Sequence, residues 1–428
     1  MATTIFTDRT LEERVITWAI VMTWPIYLIG GLYILGAVLG WLLLGIALLR
    51  LYVEGPGCHH RMPLIIGLWI GGMLMMEISL LAAHAQWSLG LGQTIKSTIG
   101  WAKGWALLAL FPLLGAILKL RISIISRSCC KVAAQALIFM LITVVIYATG
   151  GPDTLFVSPL KAVGGPGPEY FEVRMFGINS ESGLPRWFFF APWAPAAGLV
   201  SCLMLPLCLA ENDPRWRILG VSGCFIMVLL CQSRAGLPIF MIIVPMSFIL
   251  RRSFSPWVLL AVATFVPLLI LVGLPLIESV LDLYQQVKES RPGSTRVRGT
   301  LAELALQRWQ FEAPIWGHGI VERGPKIVEH MPIGSHHTWY GLLYVKGLIG
   351  AVALAIPLLC SLLYLWWQAR CSDVATTALT LLIVITLYSF FENVEMLAYL
   401  YWPALIWIGY ALNPIHTHSS RCAIAVSS

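Results

Sequence analysis

The chain returns repeatedly to apolar runs long enough to cross a bilayer, and no other feature restricts its fold so tightly. A spanning helix needs about 17–25 such residues. Runs of this kind lie near 15–32, 34–53, 64–83, 99–118, 132–150, 188–210, 217–232, 236–250, 256–276, 341–367, 375–391 and 396–412. They predict about twelve transmembrane helices, with the first two divisible around Pro25 and Gly30–Gly31. Only 11% of the 428 residues are charged, against about 25% in a soluble domain. The expected fold is all-α: a polytopic membrane helix bundle, with residues 1–428 as a single integral membrane domain. The net charge of +7 then belongs to loops that meet membrane lipids and other phosphates. No nucleic-acid partner is expected.

The first apolar run follows the mixed-charge segment from Asp8 to Arg14, lacks a small-residue cleavage site and is expected to stay as a span. Basic residues in short loops orient a bundle. With the N-terminus cytoplasmic, Arg50, Arg61, Lys119, Arg121, Arg127, Lys131, Arg215, Arg217, Arg251, Arg252 and Arg370 all fall inside. The opposite short loops are nearly free of Lys and Arg, and both termini lie in the cytoplasm. Two long loops, 151–187 and 277–340, are then placed outside. The first is rich in Gly and Pro and is expected to be irregular. The second is expected to carry short helices and most of the active site. None of the ten cysteines falls in either loop, so no disulfide is predicted.

Polar chemistry concentrates in the second loop. Lys288, Arg291, Arg296 and Arg298 precede Thr300 and Glu303, which fit a capping box and predict a helix start there. Leu301, Leu304, Ala305 and Trp309 keep helical spacing, as for a helix lying on the membrane surface. Arg296 and Arg298 beside its positive end suit a pyrophosphate, though such arginines also hold lipid headgroups. Ser233–Arg234–Ala235–Gly236 is a minimal turn whose arginine could satisfy a helix end or face a substrate. His336 and His337 precede a spanning helix, either as a general base with its partner or as interfacial residues beside Trp339 and Tyr340. Cys58–His59–His60 lacks further metal ligands. Glu211–Asn212–Asp213 reads as a solvated turn more than a metal–nucleotide-sugar motif. Glu77, Lys103, Glu392 and Glu395 are costly beside lipid, but form no legible relay.

In order and spacing these residues resemble the bacterial O-antigen ligase and polymerase superfamily, over about 230–350. Ser233–Arg234 is similar to its Ser-Arg motif, and Arg298 to its loop arginine, with Arg296 and Arg308 as alternatives. Pro314–Ile315–Trp316–Gly317–His318–Gly319 is similar to its glycine segment. His336 is spaced from Gly347–Leu348–Ile349–Gly350 like the family histidine, while His337 stands where asparagine is usual. The resemblance implies a GT-C-like, metal-independent glycosyltransferase without cofactor in the bacterial inner membrane. Its donor would be an undecaprenyl-pyrophosphate-linked glycan and its acceptor, for a ligase, lipid A–core. His336, Arg234 and Arg298 would be catalytic, and Arg291, Arg296, Arg308 and His337 would bind substrate. The alternatives are an O-antigen, capsule or exopolysaccharide polymerase, an oligosaccharyltransferase acting on protein, or a lipid-linked glycan transporter.

Overall fold

The computed structural model describes residues 9–54, 62–179, 183–252 and 292–417. The expected span at 256–276, together with Arg291, Lys288 and Cys58–His59–His60, lies outside the described residues. The protein is a helical bundle: α1 Leu11–Val21, α2 Thr23–Leu28, α3 Leu32–Glu54, α4 Leu64–Gln86, α5 Leu91–Lys103, α6 Leu107–Ile117, α7 Ser123–Ala148, α8 Ala194–Leu209, α9 Pro214–Leu230 and α10 Gly236–Arg252. It continues with α11 Pro292–Glu312, α12 Thr338–Gln368, α13 Asp373–Tyr388 and α14 Ala398–Leu412. Among the described residues, five stretches are long and apolar enough to cross a membrane: Leu32–Val53, Leu64–Gln86, Leu91–Ile117, Ser123–Ala148 and Thr338–Gln368. Ala194–Leu209, Gly236–Arg251 and Asp373–Tyr388 are shorter apolar helices. The division expected at Gly30–Gly31 is present between α2 and α3, whereas Pro25 lies within α2 and the other break falls before Thr23.

Two expectations are corrected. The loop at 151–187 is not irregular: it holds two short hairpins within a fold that is otherwise helical, as expected. Strand β1 Thr154–Val157 pairs antiparallel with β2 Glu172–Arg174, and β3 Phe176–Ile178 with β4 Pro185–Trp187. Aromatic burial orders these hairpins against the helices. Phe171, Phe176 and Trp187 are buried, and the Tyr27 hydroxyl donates to the Arg174 carbonyl at 2.6 Å. Gly and Pro counted as loop signals, whereas the hydrophobic residues between them supplied the anchoring. The second correction is Cys371, which is disulfide-bonded. The expectation rests on the absence of cysteine from the two long outer loops, whereas Cys371 lies in the short connection between α12 and α13.

Helices α6 and α14 approach backbone to backbone. A Cβ on Gly115 would collide with the Ile406 carbonyl, and one on Gly409 with Pro112. Small residues make such close contact between apolar helices possible where no hydrophobic force favours it. At the end of the bundle remote from the hairpins, buried acids take arginine partners. Glu13 binds Arg121 at 2.6 Å and Glu12 binds Arg50 at 2.8 Å. Glu211 binds Arg127 at 2.9 Å, and the Asp213 carboxylate accepts from the Arg215 amide to cap α9. Glu211 and Asp213 thus stabilise a helix junction.

Candidate active site

Helix α12 is broken where its sequence places glycine. Gly347 has φ +63° and ψ −165°, a region that only glycine enters readily. The interrupted ladder is repaired by the segment Pro314–Gly319. The His318 and Gly319 amides donate to the Tyr344 and Val345 carbonyls, both at 2.9 Å, and the Leu348 amide donates to the Pro314 carbonyl at 2.9 Å. Irregular backbone at membrane depth is tolerated when protein groups satisfy it in this way. A Cβ on Gly347 would collide with the Ile315 carbonyl. Gly347→Ala should therefore cost about 1–3 kcal/mol from backbone strain alone, with the steric clash added. Gly71→Ala, where a Cβ meets nothing within 4 Å, should leave the thermal midpoint nearly unchanged. Equal midpoints for the two variants would contradict this account of the break.

Upstream, α11 begins at Pro292 rather than at the Thr300–Glu303 capping box. Burial extends it: Val297 and Leu301 pack on Val328, and Ala305 packs with Ile333 and Tyr344. Leu301 and Ala305, expected on the membrane surface, are thus covered by protein, while Leu304 and Trp309 stay partly exposed. Proline at a first helical position is also preorganised for that role. Helix α11 therefore carries Arg296 and Arg298 within its body.

The segment between α13 and α14 supplies the residue that the sequence did not connect. Glu392 is buried, and its carboxylate lies 3.7 Å from the Arg298 guanidinium while accepting from the Trp193 indole N–H at 3.0 Å. The head of α12 is tied to the same segment. Thr338 donates through its amide to the Ser389 carbonyl at 2.9 Å and through its hydroxyl to the Glu392 carbonyl at 2.6 Å. The His337 amide donates to Asn393 at 3.1 Å. His336 is held half-buried with φ +66°, an uncommon conformation for a side chain of its size. Burial, and then the nearby Arg298 charge, lower its pKa to about 4. Arg298, Glu392 and His336 thus form one cluster, with His336 a neutral imidazole at neutral pH.

Burial raises the Glu392 carboxyl to about 7, with Arg298 and the Trp193 hydrogen bond opposing it. A folded-state pKa above the unfolded value of 4.5 sets the sign of the linkage. The stabilisation is complete below the unfolded value and is lost as pH rises through about 7. Glu392→Gln should flatten that part of the stability–pH curve. An unchanged curve would show that Glu392 does not titrate there.

Other expected site residues have different surroundings. His337 caps α12, its Nδ1 accepting from the Tyr340 amide at 3.3 Å while its ring stacks on Tyr340. Arg308 donates to Glu322 at 2.6 Å and to the Tyr344 hydroxyl at 2.8 Å, and pairs with Glu312 at 2.9 Å. His318 completes that knot. It is buried between Trp87 and Tyr344, with Nε2 2.8 Å from Glu312. Arg308 and His318 therefore fasten the glycine segment to α11. Arg296 is exposed on α11. Arg234 is half-buried in the turn between α9 and α10. Its neighbour Ser233 is buried and hydrogen-bonds the Tyr388 hydroxyl. That turn thus rests on the residue preceding Ser389, at the base of the segment bearing Glu392. The signal for Glu392 was present as an isolated acid at a span end, but its partner lies 94 positions earlier and only the fold joins them.

No curated protein matches the chain. Residues 219–355 match the protein-family model described as O-antigen ligase. The matched stretch holds Ser233–Arg234, Arg298, the glycine segment, His336 and the broken helix start. Over this stretch the chain is similar to the O-antigen ligase family, a match that supports the O-antigen ligase and polymerase superfamily in a chain whose apolar helices are long enough to cross a membrane.

Proposed function

We propose that the protein is an O-antigen ligase of the bacterial inner membrane. It transfers a glycan from undecaprenyl pyrophosphate to lipid A–core at the periplasmic face, without a metal. The observation that carries this reading is the cluster of Arg298, buried Glu392 and neutral His336 at the head of α12. His336 takes the proton from the acceptor hydroxyl as its oxygen bonds to the anomeric carbon. The bond from that carbon to the pyrophosphate oxygen breaks, and the leaving group keeps the electron pair. Arg298 and Arg234 neutralise the charge that grows there, which guanidinium forks do well on phosphate oxygens. Glu392 orients Arg298. A ligase is favoured over a polymerase because further arginines, Arg174 and Arg186 in the hairpin loop and Arg296 on α11, offer charge to the phosphates of a lipid A–core acceptor.

Purified protein given lipid-linked glycan, in the presence of EDTA, should form higher-mass lipopolysaccharide only when lipid A–core is supplied. Longer lipid-linked chains formed without that acceptor would make the protein a polymerase. A strict requirement for added Mg²⁺ or Mn²⁺ would overturn the arginine-based mechanism.

A further inference from the structure

Five apolar side chains stand exposed on the hairpin loop, where neither the transfer cluster nor the bundle core uses them. They are Leu155, Phe156 and Val157 of β1, with Leu160 and Val163 in the 3₁₀ turn Pro159–Val163 that follows, and Val163 is 56% exposed. Successive residues of a strand point to opposite faces, so three in a row leave both faces of β1 apolar. A strand with the core on one side and water on the other would alternate. Its partner does bury: Val173, opposite Phe156, is inaccessible. An exposed apolar run on a two-stranded sheet invites association unless something apolar covers it.

The contacts of the loop indicate what that cover is. Ser158, buried between β1 and the turn, donates from its hydroxyl to the Ile29 carbonyl at 2.8 Å, and a Cβ on Gly30 would collide with it. The apolar run is thus fastened at the head of α3. Along α3, Val38, Trp41, Leu42, Leu48 and Leu49 are exposed at helical spacing, on a helix long and apolar enough to cross a membrane. In a bilayer such a face meets acyl chains. The loop also descends beside α3. Lys103 of α5 donates to the Gly164 carbonyl at 3.2 Å with its ammonium 6.0 Å from the Tyr33 ring, and a Cβ on Gly165 would touch that ring. Lys103, costly beside acyl chains, thus extends its ammonium to the level at which the loop runs. Lys161 is exposed in the same turn as Leu160 and Val163.

We propose that residues 155–163 are a membrane-interface anchor: Leu155, Phe156, Val157, Leu160 and Val163 lie among phospholipid acyl chains beside α3, and Lys161 meets lipid phosphates. Apolar area leaves water as it does for an interfacial helix, and the lysine adds attraction to anionic headgroups. The occupant is lipid and not a second copy of the chain, because the patch continues into the exposed α3 face and carries its own cation. This role does not depend on the transfer reaction. It bears on the site all the same: the Tyr170 ring meets Trp193 at 5.7 Å, so the anchored hairpin lies one side chain from Glu392.

The test places full-length wild type in nanodiscs of phosphatidylethanolamine and phosphatidylglycerol that include a phospholipid with a diazirine in its acyl chain. Irradiation, digestion and mass spectrometry map the adducts. The exposed face of α3 serves as the positive reference, and the exposed Glu303 region of α11 as the negative one. Residues 155–163 should carry adducts at a yield comparable to α3 and well above α11. An unlabelled segment beside a labelled α3 overturns the anchor. So does labelling that appears only at one chain per disc, which would show a second copy covering the patch. The Phe156→Ser/Val163→Ser double variant should lose most adducts in the segment with α3 labelling unchanged, and an unchanged yield there overturns the anchoring role of these side chains. If that variant does not accumulate, the wild-type map decides alone. With the diazirine moved to the phosphatidylglycerol headgroup, Lys161→Gln should lower labelling of the segment about fivefold, the effect of one lysine near an anionic surface. Equal yields from wild type and Lys161→Gln overturn the phosphate contact.

Discussion

Replacing His336 with alanine is expected to lower glycan transfer by about 10²–10⁴-fold, the usual cost of a lost general base, while the protein still inserts and binds donor. His336 lies where α12 begins, with its proton affinity lowered by burial and by Arg298. Because that shift is downward, to about 4, the imidazole is already neutral across the working range. Transfer should therefore not fall through His336 protonation between about pH 8 and about pH 5. Arg298→Ala should let the His336 pKa rise, since it removes a like charge. His337→Ala should act differently. It removes a helix cap, so its main effect should be on stability, about 0.5–2 kcal/mol. Near-normal turnover by His336→Ala with an inactive but well-folded His337→Ala would reverse the assignment of the two histidines.

The second large effect is expected at Arg298. Truncation to alanine should cost about 10²–10³-fold in kcat, comparable to losing a preorganised donor to developing charge. Lysine should not restore activity, because a point charge reproduces neither a bidentate contact with phosphate nor the guanidinium geometry beside Glu392. Arg234→Lys is expected to behave alike. If both lysine variants keep full activity, these arginines anchor lipid headgroups and do not neutralise the leaving group. Glu392→Gln separates orientation from charge. It keeps an acceptor for the Trp193 indole but weakens the hold on Arg298, so kcat should fall without loss of the fold.

Much of the bundle was legible because apolar runs of spanning length are a direct consequence of bilayer thickness. The match over residues 219–355 covers the motifs that spacing had already singled out. What sequence could not supply was contact between distant elements. The Thr300–Glu303 capping box was a sound local signal, yet burial of Val297 and Leu301 on Val328 carries α11 back to Pro292. Arg308 stood as an alternative phosphate ligand until the fold brought Glu312, Glu322 and Tyr344 around it. Glu392 looked like an isolated acid at a span end. Its meaning depends on α11 and α12, which approach it only in three dimensions.

The hairpin loop shows the same division. Its glycines and prolines point to an irregular chain, but Tyr27 and Tyr33 from the first helices bury the aromatic residues between β1 and β2 and order the pair. The Gly347 break was visible as a glycine at a helix start. Its repair by Pro314–Gly319 was not, because the partner amides and carbonyls lie some 30 positions away.

The central claim is that Arg298, Glu392 and His336 together carry glycan transfer from a lipid pyrophosphate. The most direct measurement is release of undecaprenyl pyrophosphate from a lipid-linked glycan, supplied with lipid A–core, by reconstituted wild type and by Arg298→Ala, Glu392→Gln and His336→Ala. The account predicts acceptor-dependent release by wild type, and strong loss in all three variants at unchanged thermal stability for His336→Ala. Release at the wild-type rate by all three variants would contradict it and place the chemistry elsewhere in the protein.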